Sequence, residues 1–231
     1  MKKLLSIFAL ALLAISAVAQ DKASFHFGLK AAPSLAWLRT DTKGLEANGS
    51  KLGFTYGLIT EFNFADRYAF ATGLDVAYRG GKLKSLITFK NGTGGDSTIS
   101  IESNSTLQYI EIPITLKLKT NEIGYLTYYL QAGLAPGINI RSRQNNNIST
   151  QSVNNGTTTN YSASEADVDI KDQINTVNLS MVIGGGLEYT LSGSTVLLAG
   201  IQFNNGFLDV LDSKDAKANS NYLALTLGIL F

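Results

Sequence analysis

Apolar and polar residues alternate along most of this chain. A period of two puts large side chains on one face of a β-strand and small or polar ones on the other. Counting matches to that period predicts eight strands, at residues 24–38, 52–64, 68–83, 106–119, 125–140, 176–190, 195–210 and 221–231. Each exceeds the roughly 9–11 residues with which a tilted strand crosses a bilayer. In the fourth, Ile110, Ile112, Ile114, Leu116 and Leu118 share one face, and Tyr109, Glu111, Pro113, Thr115 and Lys117 the other. In the eighth, Leu223, Leu225, Leu227, Ile229 and Phe231 oppose Ala224, Thr226 and Gly228. This is the pattern of strands with a greasy face to lipid and a small or polar face to a lumen.

The connections alternate too. Short turns at 65–67, 120–124 and 191–194 follow the even strands, and long polar links at 39–51, 84–105, 141–175 and 211–220 follow the odd ones. Short periplasmic turns and long external links are the habit of outer-membrane barrels, and an even strand number puts both chain ends on the short-turn side. Aromatic residues gather near predicted strand ends: Phe64, Tyr68, Tyr125, Tyr128, Tyr189 and Phe231 at the short turns, Trp37, Tyr56 and Tyr78 toward the long links. Interfacial girdles have this distribution. The expectation is an all-β fold: an eight-stranded antiparallel up-and-down transmembrane barrel.

The first residues carry an export signal. Met1-Lys2-Lys3 is a basic start, residues 4–18 are apolar, and Ala17-Val18-Ala19 is a small-residue cleavage site. Residues 1–19 are therefore expected to be removed, leaving 20–231 as the barrel. That removal takes Lys2 and Lys3 from 19 basic residues and none of the 18 acids, so 17 face 18. A near-neutral chain makes no broad electrostatic claim on nucleic acid. With no cysteine, disulfides, lipid attachment at a lipobox and thiolate metal sites are excluded.

Parity turns Lys30, Glu61, Asp75, Arg79, Glu111, Lys117, Gln131, Glu188 and Gln202 inward, which puts both signs of charge in one narrow cylinder. An eight-stranded barrel is just wide enough for side chains to fill it, so a hydrogen-bonded polar network is expected rather than an open pore. Leu227, Ile229 and Phe231 form a candidate assembly signal on the closing strand.

The run Tyr109-Ile110-Glu111-Ile112-Pro113-Ile114-Thr115-Leu116-Lys117 resembles the "YLEIPLLLK" strand of small outer-membrane β-barrel proteins of Bacteroidota. These are PorT-like members of the porin family, with an outer membrane protein beta-barrel domain. The likeness covers the layout of the whole mature chain and implies the barrel fold in a bacterial outer membrane. Because PorT is linked to a gliding-associated secretion system, it also implies, by analogy, an accessory part in protein secretion.

Catalysis is not expected. The single histidine, His26, lies near the short-turn end, away from the external rim where a hydrolase would need it, and no metal or cofactor site is expected around it. Gly184-Gly185-Gly186 lacks the context of a phosphate loop and reads as close packing in a curved sheet. The link 141–175 is rich in Asn, Ser and Thr and is expected to be solvated and flexible; Glu165, Asp167 and Asp169 alternate on one side of an extended segment, as calcium ligands could, but lack a Gly-bearing EF-hand spacing, and no metal site is assigned to them. The function expected is a scaffold acting through its external links. Its partners would be outer-membrane lipid, lipopolysaccharide, the barrel assembly machinery, and surface or secretion proteins. A narrow solute channel is the alternative.

Overall fold

The computed structural model describes residues 24–90, 96–154 and 157–231. The signal segment 1–19 lies outside the described residues. Eleven strands form one antiparallel sheet. β1 (Ser24–Arg39) pairs with β3 (Ser50–Ala65), and β3 with β4 (Tyr68–Lys90). β4 pairs with β5 (Asp96–Glu111) and then β6 (Ile114–Lys119), two halves of one wall position, and both pair with β7 (Leu126–Asn154). β9 (Val177–Ser192), β10 (Thr195–Gly206) and β11 (Asn219–Leu230) follow, and β11 returns to β1. The ring of eight wall positions is closed, so no wall strand keeps an unpaired edge. Among the described residues no helix is long and apolar enough to cross a membrane.

Ring closure keeps one register along the whole seam. Leu29 faces Ile229 and Ala31 faces Leu227, while Phe27 and Phe231 exchange backbone hydrogen bonds of 3.2 and 2.7 Å. The prolines sit where the ladder can spare a donor. The β1–β11 ladder skips Ala32 and Pro33, and Pro113 separates β5 from β6, where the Ile112 N–H turns instead to the Pro136 carbonyl at 2.9 Å.

The faces separate as parity requires. Ile110, Ile112, Ile114, Leu116 and Leu118 are exposed on the outer wall, and Tyr109, Glu111, Thr115 and Lys117 are buried in the lumen. Ring pairs mark both rims: Phe64 with Tyr68 and Tyr125 with Tyr189 at the short turns, Tyr56 with Tyr78 and Trp37 with Phe203 at the other end.

Two of the long links differ from the irregular loops expected of them. β4 runs for 23 residues and β7 for 29, far beyond a membrane crossing, and the extra lengths pair as hairpins. Lys84 faces Glu102 and Lys90 faces Asp96 in the first. In the second, β7 pairs with β8 (Thr157–Asp169). β2 (Leu45–Ala47) joins the side of β4. The apolar signal vanished in these stretches because both faces meet water, while the hydrogen-bonded ladder continued. Strand seven also ends earlier than 210. It stops at Gly206, after which the chain turns inward and buries Val210.

Deleting residues 227–231 removes the partners of Gly28 to Ala31 and opens both neighbouring strands. The expected result is loss of the compact, heat-modifiable band on a gel; a truncated chain that still shows that band would contradict the closure argument.

Candidate functional site

The lumen is filled by two polar clusters. Toward the short turns, Lys117 on β6 contacts both Glu61 on β3 and Glu188 on β9. Lys119, two residues along the same face, lies 2.8 Å from Glu61 and 3.0 Å from Glu188, so two lysines and two glutamates form a neutral square. The Lys117 ammonium also sits 3.9 Å from the centre of the Tyr129 ring. Glu61 and Lys117 are both 0 % exposed. Such charges survive burial only when paired and hydrogen-bonded.

Toward the long links, Arg79 on β4 approaches Glu111 on β5 at 2.7 Å and lies 4.0 Å over the Tyr109 ring. The Tyr222 hydroxyl on β11 donates to the second Glu111 oxygen at 3.3 Å. Lys30 on β1 pairs with Asp75 at 2.8 Å. Between the clusters the Gln131 amide donates to Gln202 at 3.1 Å, and Gln202 donates to Asn204 at 2.7 Å. The lumen voids around Lys30 measure only about 20 and 10 Å3, room for about one water each.

Glycine makes this packing feasible at one place in particular. A Cβ on Gly186 would lie 2.8 Å from the Tyr129 hydroxyl, and one on Gly200 would overlap it. The small residues of β9 and β10 thus admit the ring that lies against Lys117.

A second, apolar closure stands at the long-link mouth. Leu38, Leu83, Leu107, Tyr109, Ile170, Ile174 and Val210 form one buried cluster. The strand ends supply the first four, and the links supply Ile170, Ile174 and Val210. Those links are tied to each other: the Asn175 N–H donates to the Val210 carbonyl at 2.8 Å, the Asp212 N–H to the Gln173 carbonyl at 2.8 Å, and the Asn175 side chain to the carbonyls of Asp209 and Leu211. β4 reaches the cap by passing close over β1, where a Cβ on Gly81 would stand 2.6 Å from the Leu38 nitrogen.

Every inward residue named from parity therefore lies in one of these contacts. Parity alone did not single out Lys119, Tyr129 or Tyr222, although each shares an inward register with a named neighbour. Ile170, Ile174 and Val210 had no periodic signal because they lie outside regular strands. Leu227 and Phe231 are exposed on the outer wall. His26 Nδ1 lies 3.1 Å from the Asn63 amide nitrogen, at the short-turn end.

The calcium arrangement suggested for Glu165, Asp167 and Asp169 is not formed. Arg143 lies 3.8 Å from Asp167 and 3.5 Å from Asp169, Glu165 accepts from the Asn146 amide at 3.4 Å, and a bulge turns the acids apart. Among the described residues no group of three His, Cys, Asp or Glu side chains could hold a metal ion.

A closed ring with an apolar outer wall, a charged filling and aromatic rims defines a membrane-spanning β-barrel. The family model described as "Outer membrane protein beta-barrel domain" matches residues 18–212. The chain belongs to that family. Its place is accordingly the bacterial outer membrane, crossed by strands.

No curated protein matches the chain. Solved structures that resemble it include neisserial surface protein A, at 15% identity and TM-score 0.46, covering 91% of this chain and 98% of that one. OprG of Pseudomonas aeruginosa is 10% identical with TM-score 0.40, over 90% of this chain and 97% of its own. Ail, the attachment invasion locus protein of Yersinia pestis, is 13% identical with TM-score 0.35, over 90% and 99%.

Replacing Lys117 with Met leaves Glu61 and Glu188 facing each other with Lys119 alone. Breaking a buried ion pair from one side costs roughly 3–5 kcal/mol, and a loss of that size is expected in urea unfolding of the reconstituted barrel. Adding Glu188→Gln to Lys117→Met should recover part of it; an unchanged midpoint in the single variant would show the square to be energetically idle.

Proposed function

We propose that this chain is a non-conducting outer-membrane scaffold, whose task is carried by the hairpins standing beyond the barrel. The observation that carries this reading is the double closure of the lumen: a paired polar filling across the barrel, then an apolar cap at the mouth. A solute path needs a continuous row of solvated groups, whereas the Lys117 square pairs its charges internally and Arg79 stands against Glu111 and the Tyr109 ring. The cap adds a dry constriction above them.

Cleavage after Ala19 would deliver residues 20–231 to the outer membrane, where Leu227, Ile229 and Phe231 on the closing strand are the features for the barrel assembly machinery to read. Once inserted, the outer wall meets lipid and the hairpins meet lipopolysaccharide or surface macromolecules. The long links then stand outside the cell, which fits their polar composition. Catalysis is no part of this reading, because the one histidine lies at the end remote from the hairpins. An accessory secretion role rests on the PorT-like strand at Tyr109 to Lys117, and the scaffold reading does not require it.

Purified, heat-modifiable protein in planar bilayers is expected to show no steady conductance. Steady openings that disappear on changing Glu111 or Lys117 would replace the scaffold with the channel. Replacing residues 148–163 with an Asn-Gly turn should leave the folded band intact, because Asn147 and Ser164 already face each other across the hairpin. The same replacement should abolish binding of cells to isolated lipopolysaccharide or surface protein; binding unchanged by it would move the working surface elsewhere.

A further inference from the structure

β8 pairs along one side with β7 and, among the described residues, with no strand on the other. An open edge holds a row of N–H and C=O groups ready for another chain, and proteins usually blunt it with charges, prolines or bulges. On β8 those devices occupy one end only. Asp167 adopts a φ of 54°, the register slips between Gln144 and Asn146, and Glu165, Asp167 and Asp169 place three carboxylates there. From Thr157 to Ser164 the strand has no charge, no proline and no break in register. Tyr161, in the middle of that run, leaves 68% of its surface exposed on an otherwise polar strand.

We propose that the run from Thr157 to Glu165 pairs antiparallel with the same run of a second copy, about a two-fold axis through Tyr161, which inverts one barrel relative to the other and so joins copies in facing membranes. Charge sets the direction. Centred on Tyr161, the antiparallel register sets Glu165 opposite Thr157 of the second copy, so no acid meets an acid. A parallel register sets Glu165 against Glu165, and like charges directly opposite are destabilising. A basic peptide gains little here, since the unbulged run carries no acid before Glu165. The two-fold also brings the two exposed Tyr161 rings opposite each other, where cross-strand aromatic pairs are favourable. This pairing rests on the reading of the outer hairpins as the working surface.

The chain has no cysteine, so single substitutions report the register directly. In the detergent-solubilised full barrel, Tyr161→Cys should form a disulfide-linked homodimer on mild oxidation. Thr159→Cys and Ala163→Cys should cross-link when mixed and not alone, because they face each other in this register. Tyr161→Lys, which opposes two cations at the axis, should convert the wild-type dimer to monomer in sedimentation while the heat-modifiable band stays unchanged. A folded wild-type protein that sediments only as monomer overturns the proposal. So does self-linking of Thr159→Cys, the mark of parallel pairing, or capture of a different polypeptide by Tyr161→Cys without any homodimer. A conducting barrel would remove the scaffold reading and leave the cross-linking pattern as it is, so the two failures are distinguishable.

Discussion

Pairing of backbone groups in hydrocarbon is the constraint from which the rest of this molecule follows. Inside a bilayer no water satisfies an N–H or a C=O, so a sheet that crosses must close on itself. Closure here is the β1–β11 seam, carried from Gly28 opposite Leu230 to Arg39 opposite Asn219. Once the ring is closed, each wall residue has two choices, lipid or lumen, and the period of the strand makes the choice. Every charged side chain on the wall must then turn into a cylinder too narrow to hold free ions apart. The Lys117, Lys119, Glu61 and Glu188 square and the Arg79–Glu111 contact are the consequence of this confinement, assembled from strands far apart in sequence.

The period of two made the wall legible before any coordinates. Strand number, pairing of neighbours, the lipid face of Ile110 to Leu118 and the inward turn of Glu61, Asp75, Arg79 and Glu188 all follow from one rule, because hydrocarbon punishes a misplaced charge heavily. Where that penalty ends, the rule falls silent. Residues 84–105 and 141–175 read as loops because nothing beyond the membrane requires an apolar face, yet the ladder runs on through Lys90 and Asn154. A weaker trace was present in Thr98-Ile99-Ser100-Ile101, which alternates without a lipid face to reinforce it.

The site was legible in part for a related reason. Parity gives direction but not partners, so it turned Lys117 inward without showing that two glutamates from β3 and β9 meet it there. Large aromatics are ambiguous between rim and lumen. Tyr129 and Tyr222 are lumen residues because Gly186 and Gly200 leave room for one and Glu111 accepts from the other. The cap was invisible, since Ile170, Ile174 and Val210 come from connections whose path only tertiary structure fixes.

The two closures differ in kind, and the difference says where work can be done. The polar filling is fixed to wall strands, so disturbing it means leaving buried charges unpaired. The cap is held by hydrogen bonds between the segment at 170–176 and the connection at 207–218, and it is tied to β7 as well, where the Ile170 N–H donates to the Ser142 carbonyl at 3.2 Å and the Asn139 N–H to the Thr176 carbonyl at 2.8 Å. The polar filling beneath is held separately, by ion pairs between wall strands. On the scaffold reading, strain on the hairpins therefore reaches the cap and the top of β7 before it reaches any lumen charge.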